Sequence, residues 1–437
     1  MSRYLISGGR VVDPASGTDE VADVFVADGS IAGIGRDPAT ADAEVVDASG
    51  LVVAPGLVDM HTHVREPGRE DEETIATASA AAAAGGYTAV CAMPNTDPVA
   101  DTAAVVEKVW ALGREAGLVE VLAAGALSRG LAGEKMADLG EMARSAARVR
   151  IFTDDGHGVQ NALYARRAME YLAAFDGIYA EHCEDAALAA GGQMHEGDRS
   201  AELGLRGIPA AAEELMAERD IALAKITGCR LHLLHVSTAG TVDAVRRARA
   251  AGVGVTAEAT PHHFTLTDDA LTGYDPNAKV NPPLRSEADR AAVIAGLVDG
   301  TIGVIATDHA PHALEEKDVE FQYAPPGLVG LETALALGIS ELVVPGHLTL
   351  AELIDRMSAA PAGILGLESQ GALRTGGPAN LVVFDPNVSW TIDPAQFHSR
   401  SRNTPFGGRT VTGKVVHTFF NGRRVVRDGA VESEALV

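Results

Sequence analysis

The feature that most constrains the fold is a strand–helix alternation repeated through the middle of the chain. Eight short apolar runs are candidate strands: Leu57–His61, Thr88–Met93, Val119–Ala124, Val149–Thr153, Ile178–His182, Leu231–His235, Val253–Glu258 and Ile302–Asp308. Between them lie helical patterns such as residues 101–116, where Val105, Val109 and Leu112 recur at helical spacing. The alternation predicts an α/β fold, a (β/α)₈ (TIM-type) barrel. An open doubly wound sheet is the alternative, but no dinucleotide glycine fingerprint follows the first strand.

Both ends of the chain are β-rich instead. The candidate strands are Tyr4–Ile6, Val24–Val26, Ile31–Ile34 and Val45–Asp47 at one end, and Leu381–Phe384, Val415–Phe420 and Arg424–Val426 at the other. Asn421-Gly422 between two apolar runs is a hairpin signal. We expect a small composite β-sandwich domain built from residues 1–54 and 365–437, flanking a barrel of residues 55–364.

Composition narrows the function classes. The formal net charge of −25 argues against a broad nucleic-acid interface, because phosphates bind to basic faces. An anionic substrate would need a local cationic site made by metal ions or arginines. Three cysteines without a CxxC pair favour a reducing compartment. No apolar signal core lies in residues 1–10, and no run approaches the roughly 18 apolar residues of a membrane span. We therefore expect a cytoplasmic protein that does not bind a membrane.

Side chains that bind metals follow five of the predicted strands. They are His61, His63, Asp155, His182, His235 and Asp308. The carboxyl ends of barrel strands open onto one face, so these distant residues would converge. A single histidine at a strand end is usually an ordinary polar residue, but six ligand types at five strand ends are hard to attribute to coincidence. Six other histidines are interpreted as surface or supporting residues: His157, His195, His232, His347, His398 and His417.

The spacing of these residues suggests how they would share metal ions. His61 and His63 are two apart, so both point to the same side of their strand and can bind one ion. Asp155 and Asp308 would add oxygen ligands, and His182 with His235 would serve a second ion that Asp155 bridges. Imidazole and carboxylate suit zinc, with manganese or cobalt as alternatives. Two such ions about 3.5–4 Å apart activate water at neutral pH.

Several motifs resemble a known family. Residues 53–63 resemble the opening signature of the amidohydrolase superfamily. Four further segments resemble bacterial dihydroorotases, in the branch with an aspartate in place of a carboxylated lysine: His63–Gly68, Ala92–Thr96, Lys279–Arg285 and Ala306–His312. The resemblance covers almost the whole chain, and the motifs follow in the same order.

The resemblance implies a role for each candidate residue. His61, His63, Asp155 and Asp308 would hold one zinc, and Asp155, His182 and His235 a second, giving one or two ions with two favoured. The residues implied in substrate binding are His63, Arg65, Asn95, Asn281, His312, Pro326 and Gly327. Of these, Arg65, Asn95 and His312 would hold the substrate carboxylate, and Asp308 would be the catalytic acid–base. The implied reaction is the reversible hydrolysis of (S)-dihydroorotate to N-carbamoyl-L-aspartate in pyrimidine (UMP) synthesis.

Some alternatives stay open. Hydantoinases and allantoinases usually carry a carboxylated lysine after the fourth strand, whereas residues 151–156 contain none. Asp154 could replace Asp155 as the bridge, although the motif register favours Asp155. The chain could be another cyclic amidohydrolase, or a non-catalytic dihydroorotase-like partner of aspartate transcarbamoylase. A homodimer, and a catalytic chain associated with that transcarbamoylase, are compatible with the resemblance. The loop 312–330 is predicted to be a lid over the site.

Overall fold

The computed structural model describes residues 3–35 and 42–432, so the outer ends of the predicted β-rich segments lie outside the described residues. Five strands open the chain: β1 (Arg3–Asp13), β2 (Thr18–Ala27), β3 (Ser30–Gly35), β4 (Glu44–Asp47) and β5 (Val52–Pro55). β1 is their centre, because it pairs antiparallel with β2 and parallel with β4 and β5. The predicted N-terminal β segment is confirmed.

The middle of the chain forms the barrel. In chain order, the strands of this region are β6 (Leu57–Thr62), β7 (Tyr87–Ala92), β8 (Glu120–Ala123), β9 (Ile151–Phe152), β10 (Ile178–Glu181), β11 (Met194–His195), β12 (Gly207–Ile208), β13 (Arg230–Leu233), β14 (Val255–Ala259) and β15 (Val304–Ile305). β11 and β12 pair with each other in a small separate sheet, and the other eight are the barrel strands. β6 to β8 form one parallel sheet, and β9, β10 and β13 to β15 form another. Parallel bridges Gly125–Phe152 and Thr62–His309 join the two sheets at both seams. The eight strands therefore close into a ring, as the alternation predicts.

Helices surround this ring. They are α1 (Ile75–Ala84), α2 (Ala103–Ala116), α3 (Leu139–Arg144), α4 (Ala162–Ala173), α5 (Ala186–Ala189), α6 (Asp198–Leu203), α7 (Ala211–Thr227), α8 (Ala239–Ala250), α9 (Pro261–Thr265), α10 (Glu287–Val298), α11 (Leu314–Lys317), α12 (Ala334–Gly338), α13 (Leu350–Ile354) and α14 (Ala360–Leu365). π-helical turns at Ile339–Val343 and Asp355–Ala359 extend α12 and join α13 to α14. No helix within residues 3–35 and 42–432 combines the length and apolar character needed to cross a membrane.

The second helix shows how the sequence sets this packing. α2 turns Val106, Val109 and Gly113 inward, and it ends at Gly117 in the left-handed conformation (φ 63°). A Cβ on Gly113 would lie 2.3 Å from the Cβ of Val121 on β8. The missing side chain lets the helix approach its strand closely. The helix predicted within residues 101–116 is confirmed.

The chain ends in β16 (Leu381–Thr391), β17 (Thr410–Phe420), β18 (Arg423–Arg427) and β19 (Ala430–Val431). β16 pairs with β5, so both ends of the chain join in one continuous nine-stranded sheet. The predicted hairpin at Asn421-Gly422 is present, with both residues at positive φ (49° and 73°). The composite β domain is thus confirmed as a structure made from both ends of the chain.

Candidate active site

The six predicted ligand residues converge at the carboxyl ends of the barrel strands. His61 lies on β6 and His182 directly follows β10, while Asp155, His235 and Asp308 follow β9, β13 and β15 by two or three residues. Their side chains are buried, and Asp308 is the most exposed of the six at 7%. Five stretches of chain therefore bring imidazoles and carboxylates to one place, as the sequence predicts.

One half of the cluster is made by the two histidines of the first strand. His61 Nε2 lies 3.5 Å from Asp155 Oδ2 and 3.4 Å from Asp308 Oδ1. His63 Nε2 lies 3.5 Å and 3.1 Å from the same two oxygens. Two nitrogens and two oxygens thus face a common point, which is the arrangement expected of one metal site.

Asp155 links this half to a second group. Its Oδ1 lies 3.7 Å from His182 Nδ1 and 3.5 Å from His235 Nε2. Those two nitrogens are 2.9 Å apart. Asp154 instead accepts hydrogen bonds from the amide (2.9 Å) and the hydroxyl of Ser128. The structure therefore places Asp155, and not Asp154, between the two groups.

The donor set fits a metal ion. In a tetrahedral site with bonds of about 2.0–2.1 Å, neighbouring donor atoms lie about 3.3 Å apart. The separations of 3.1–3.5 Å between the nitrogens of His61 and His63 and their carboxylate neighbours match that value. Within the described residues, His61 Nε2 and Asp155 Oδ1 are buried without a hydrogen-bond partner. Buried polar atoms are rarely left unpaired, so these two indicate room for a ligand that binds them.

Buried side chains behind the cluster fix the histidine rings. The Nδ1–H of His61 donates to Glu258 Oε1 on β14 (2.7 Å), and the Nε2–H of His232 donates to the other oxygen of Glu258 (3.0 Å). The Nδ1–H of His63 donates to Asn95 Oδ1 (2.9 Å). In both ligand histidines Nε2 is therefore left to face the carboxylates. Such outer hydrogen bonds set the tautomer and orientation of metal-binding histidines.

The electrostatics of the cluster follow from this crowding. Burial alone would raise the pKa of Asp155, but His61, His182 and His235 hold it well below its usual range. Burial would lower the pKa of His61, yet Asp155, Asp308 and Glu258 raise it well above its usual value. Burial likewise opposes ionisation of Glu258, whose pKa falls to about 2 beside His61 and His232. The carboxylates and imidazoles of the cluster therefore stabilise one another's charged forms against the effect of burial.

Three residues of the site have unusual backbone geometry. Arg65, His235 and Asp308 have positive φ angles of 60°, 30° and 48°. Such a conformation costs roughly 1–3 kcal/mol for a non-glycine residue and persists only where surrounding contacts enforce it. The fold enforces this conformation at three positions whose side chains turn toward the cluster and its cavity.

A cavity of about 200 Å³ opens beside the cluster. Every residue that the sequence assigns to substrate binding lines it: His63, Arg65, Asn95, Asn281, His312, Pro326 and Gly327. Asn281 Nδ2 lies 3.4 Å from His182 Nε2, and its Oδ1 is buried without a partner in the described part of the chain. An unpaired acceptor there suits an N–H group of a ligand.

Arg65 and His312 form one wall of this cavity. The Nε–H of Arg65 donates to Pro311 O (3.0 Å), and Arg65 also pairs with the buried Glu72 (3.0 Å). His312 lies between Glu72 Oε1 (3.1 Å from Nδ1) and Pro326 O (2.9 Å from Nε2). Burial and the neighbouring Arg65 lower the pKa of His312 to about 3, so the wall presents one guanidinium and a neutral imidazole, both held in place from behind.

Comparisons with known proteins identify the family. The family model described as dihydro-orotase-like matches residues 50–241. The dihydroorotase of Pelotomaculum thermopropionicum is 53% identical, over 98% of this chain and 100% of that protein. The dihydroorotase of Streptomyces coelicolor is 50% identical, over 98% of this chain and 99% of that protein. The chain belongs to the dihydroorotase family.

A solved structure agrees with this family and with the predicted fold. The L-hydantoinase (dihydropyrimidinase) of Arthrobacter aurescens is 27% identical, with a TM-score of 0.87 over 99% of this chain and 98% of that one. The predicted barrel with a sheet domain from both ends is thereby confirmed. The segment after the fourth strand, residues 151–156, contains Asp154 and Asp155 and no lysine.

Some residues of the dihydroorotase site were not foreseen from the sequence. Glu258 closes a predicted strand, and its inward position could have been read from the alternation of the strand. Glu72 lies in a charged loop that gives no such signal. Asn95 was expected to contact substrate only, but it also orients His63.

Proposed function

We propose that this chain is a dihydroorotase that catalyses the reversible hydrolysis of (S)-dihydroorotate to N-carbamoyl-L-aspartate. The substrate class fits the cavity, because a small cyclic amide with one carboxylate needs both a reacting centre and a separate anion site. The first is the cluster around Asp155 and the second is the wall of Arg65 and His312. Membership of the dihydroorotase family supports the same reaction.

The observation that carries the proposal is the position of the wall of Arg65 and His312 relative to the cluster. Both line one cavity of about 200 Å³, so a substrate held by its carboxylate would present its ring to Asp308. Arginine offers a planar fork that matches a carboxylate. Asn95 adds an amide to the same wall. Hydantoin and allantoin carry no carboxylate, so this wall favours dihydroorotate.

Zinc fits the donor set, and bound zinc would polarise the ring carbonyl and activate water at neutral pH. Asp308 would take a proton from the attacking water as the oxygen bonds to the ring carbonyl carbon. The carbon–nitrogen amide bond then breaks, and Asp308 returns the proton to the leaving nitrogen. Burial alone would raise the pKa of Asp308, but His61 and His63 lower it below its usual value. The carboxylate is therefore ionised and can act as a base. Two ions bridged by Asp155 are part of this proposal.

The test is metal analysis together with an assay of the purified chain, supplied with zinc and no other protein. We expect cyclisation of N-carbamoyl-L-aspartate and hydrolysis of dihydroorotate, with far lower turnover of hydantoin and allantoin. Preference for hydantoin or allantoin would assign the chain to another cyclic amidohydrolase. Metal binding without turnover would favour the non-catalytic partner role. Cytoplasmic location, homodimer formation and association with aspartate transcarbamoylase stay predictions.

A further inference from the structure

A short segment of the C-terminal part of the chain reaches the loops that carry the wall of Arg65 and His312. This segment, residues 399–403, lies between β16 and β17. The hydroxyl of Ser399 and the amide of Arg400 donate to the carboxylate of the buried Glu73. The hydroxyl of Ser401 donates to Glu72 O (2.7 Å). The segment therefore supports the loop that follows the first barrel strand.

Asn403 makes the same kind of contact with the loop after the eighth strand. Its side-chain amide nitrogen donates to Ala310 O (3.0 Å) and to Gly327 O (3.1 Å). Its Oδ1 accepts from the amide of His312 (3.1 Å), and its carbonyl accepts from the amide of Val329 (2.9 Å). Asn403 is 4% exposed. Both side-chain polar atoms are thus used by this one loop.

These bonds join the two ends of the loop. Ala310 and His312 lie where it begins, and Gly327 and Val329 where it ends. The carbonyl of Pro326, next to Gly327, lies 2.9 Å from His312 Nε2. The spacing between His312 and the Pro326–Gly327 turn sets one side of the cavity, and Asn403 is bonded to both.

We propose that Asn403 is a positioning residue for substrate binding, through which the C-terminal part of the chain fixes the carboxylate-binding wall. It lies behind the wall and is not among the residues that line the cavity. Its side-chain hydrogen bonds involve neither His61, Asp155 nor any other ligand candidate. Loss of Asn403 would therefore loosen the grip on the carboxylate and leave the metal-type cluster intact. This inference rests on the proposed function for its kinetic consequence.

The experiment compares Asn403→Ala with Asn380→Ala in the full-length chain. Asn380 is a matched control because it is equally buried (3%) and uses its side chain on Ser369 O and the Asn421 amide, within the C-terminal β region. We expect Asn403→Ala to raise KM for N-carbamoyl-L-aspartate about tenfold or more, with kcat within about threefold and bound metal unchanged. Asn380→Ala should lower Tm similarly but leave KM within about twofold.

Hydrogen exchange gives a readout that does not need turnover. In Asn403→Ala, the amides of His312 and Val329 should exchange faster than in the parent, and in Asn380→Ala they should not. Equal KM values in the two variants, or unchanged exchange in the loop, would overturn the inference. If the alanine variant is not recovered folded, Asn403→Ser is measured in the same way. A parent chain without dihydroorotase activity would refute the proposed function, while the exchange contrast would still decide the role of Asn403.

Discussion

The cluster around Asp155 and the wall around Arg65 adjoin the same cavity but are built differently. The cluster lies on or just after barrel strands, so the hydrogen bonds of the sheet set the positions of His61 and His182. The wall lies on loops, and side chains outside the barrel strands hold it, among them Glu72 and Asn403. A site on strand ends is fixed by the fold itself, whereas a site on loops depends on added anchors.

The difference predicts two kinds of variant. Changes in the cluster should reduce metal binding or kcat, because they remove groups that act on the reacting atoms. Changes in the wall should mainly raise KM, because they weaken the hold on a part of the substrate that does not react. A substitution in the wall that removes bound metal would contradict this division. So would a substitution in the cluster that changes only KM.

The largest effect is expected at Asp308. Asp308→Ala removes a candidate metal ligand and the proton carrier together, so kcat should fall about 10³-fold or more. The measurement is steady-state cyclisation of N-carbamoyl-L-aspartate at saturating substrate, with metal content determined on the same sample. A variant within about tenfold of the parent would contradict the role given to this residue.

The neighbouring aspartates test the register of the cluster. Asp155→Asn should lower metal affinity about 10²-fold or more, because the carboxylate oxygens of Asp155 face both candidate metal sites. Asp154→Asn is the control, since Asp154 is also buried but bonds to Ser128. It should keep its metal and lose only stability, measured as Tm beside zinc stoichiometry. Metal loss in Asp154→Asn with retention in Asp155→Asn would reverse the assignment.

The wall is tested at Arg65. Arg65→Met keeps much of the side-chain length but removes the charge, and kcat/KM should fall about 10–100-fold, mainly through KM. Arg69→Met is the matched control, because Arg69 also pairs with Glu72 but is largely exposed and does not line the cavity. Its kinetics should stay close to those of the parent. Similar losses of kcat/KM in both variants would show that activity depends on positive charge near Glu72 in general, and not on a contact between Arg65 and the substrate.

The same contrast explains what could be predicted from the sequence. The barrel and the six cluster residues were predictable, because strand periodicity places His61 and His63 on one side and the ends of all strands on one face. The wall residues came from motifs that resemble a family, not from periodicity. Asn403 could not be found in either way. It lies in an irregular segment, and its contacts with residues 310–329 depend on how the C-terminal strands return to the barrel.

The smallest effect concerns protons released on metal binding. In the absence of metal, burial disfavours the charged form of His61, but Asp155, Asp308 and Glu258 raise its pKa well above the usual value. A metal binds only the neutral imidazole, so zinc must displace this proton.

For each proton released, zinc affinity should rise about tenfold per pH unit between about pH 6 and 8, and level off above the pKa of His61. Titration calorimetry in buffers of different ionisation enthalpy measures both the affinity and the proton count. Glu258→Gln removes one of the charges that raise the pKa of His61, so zinc affinity should level off at a lower pH in this variant than in the parent. Zinc affinity independent of pH in the parent chain would mean that His61 is already neutral before zinc binds, and would contradict the raised pKa.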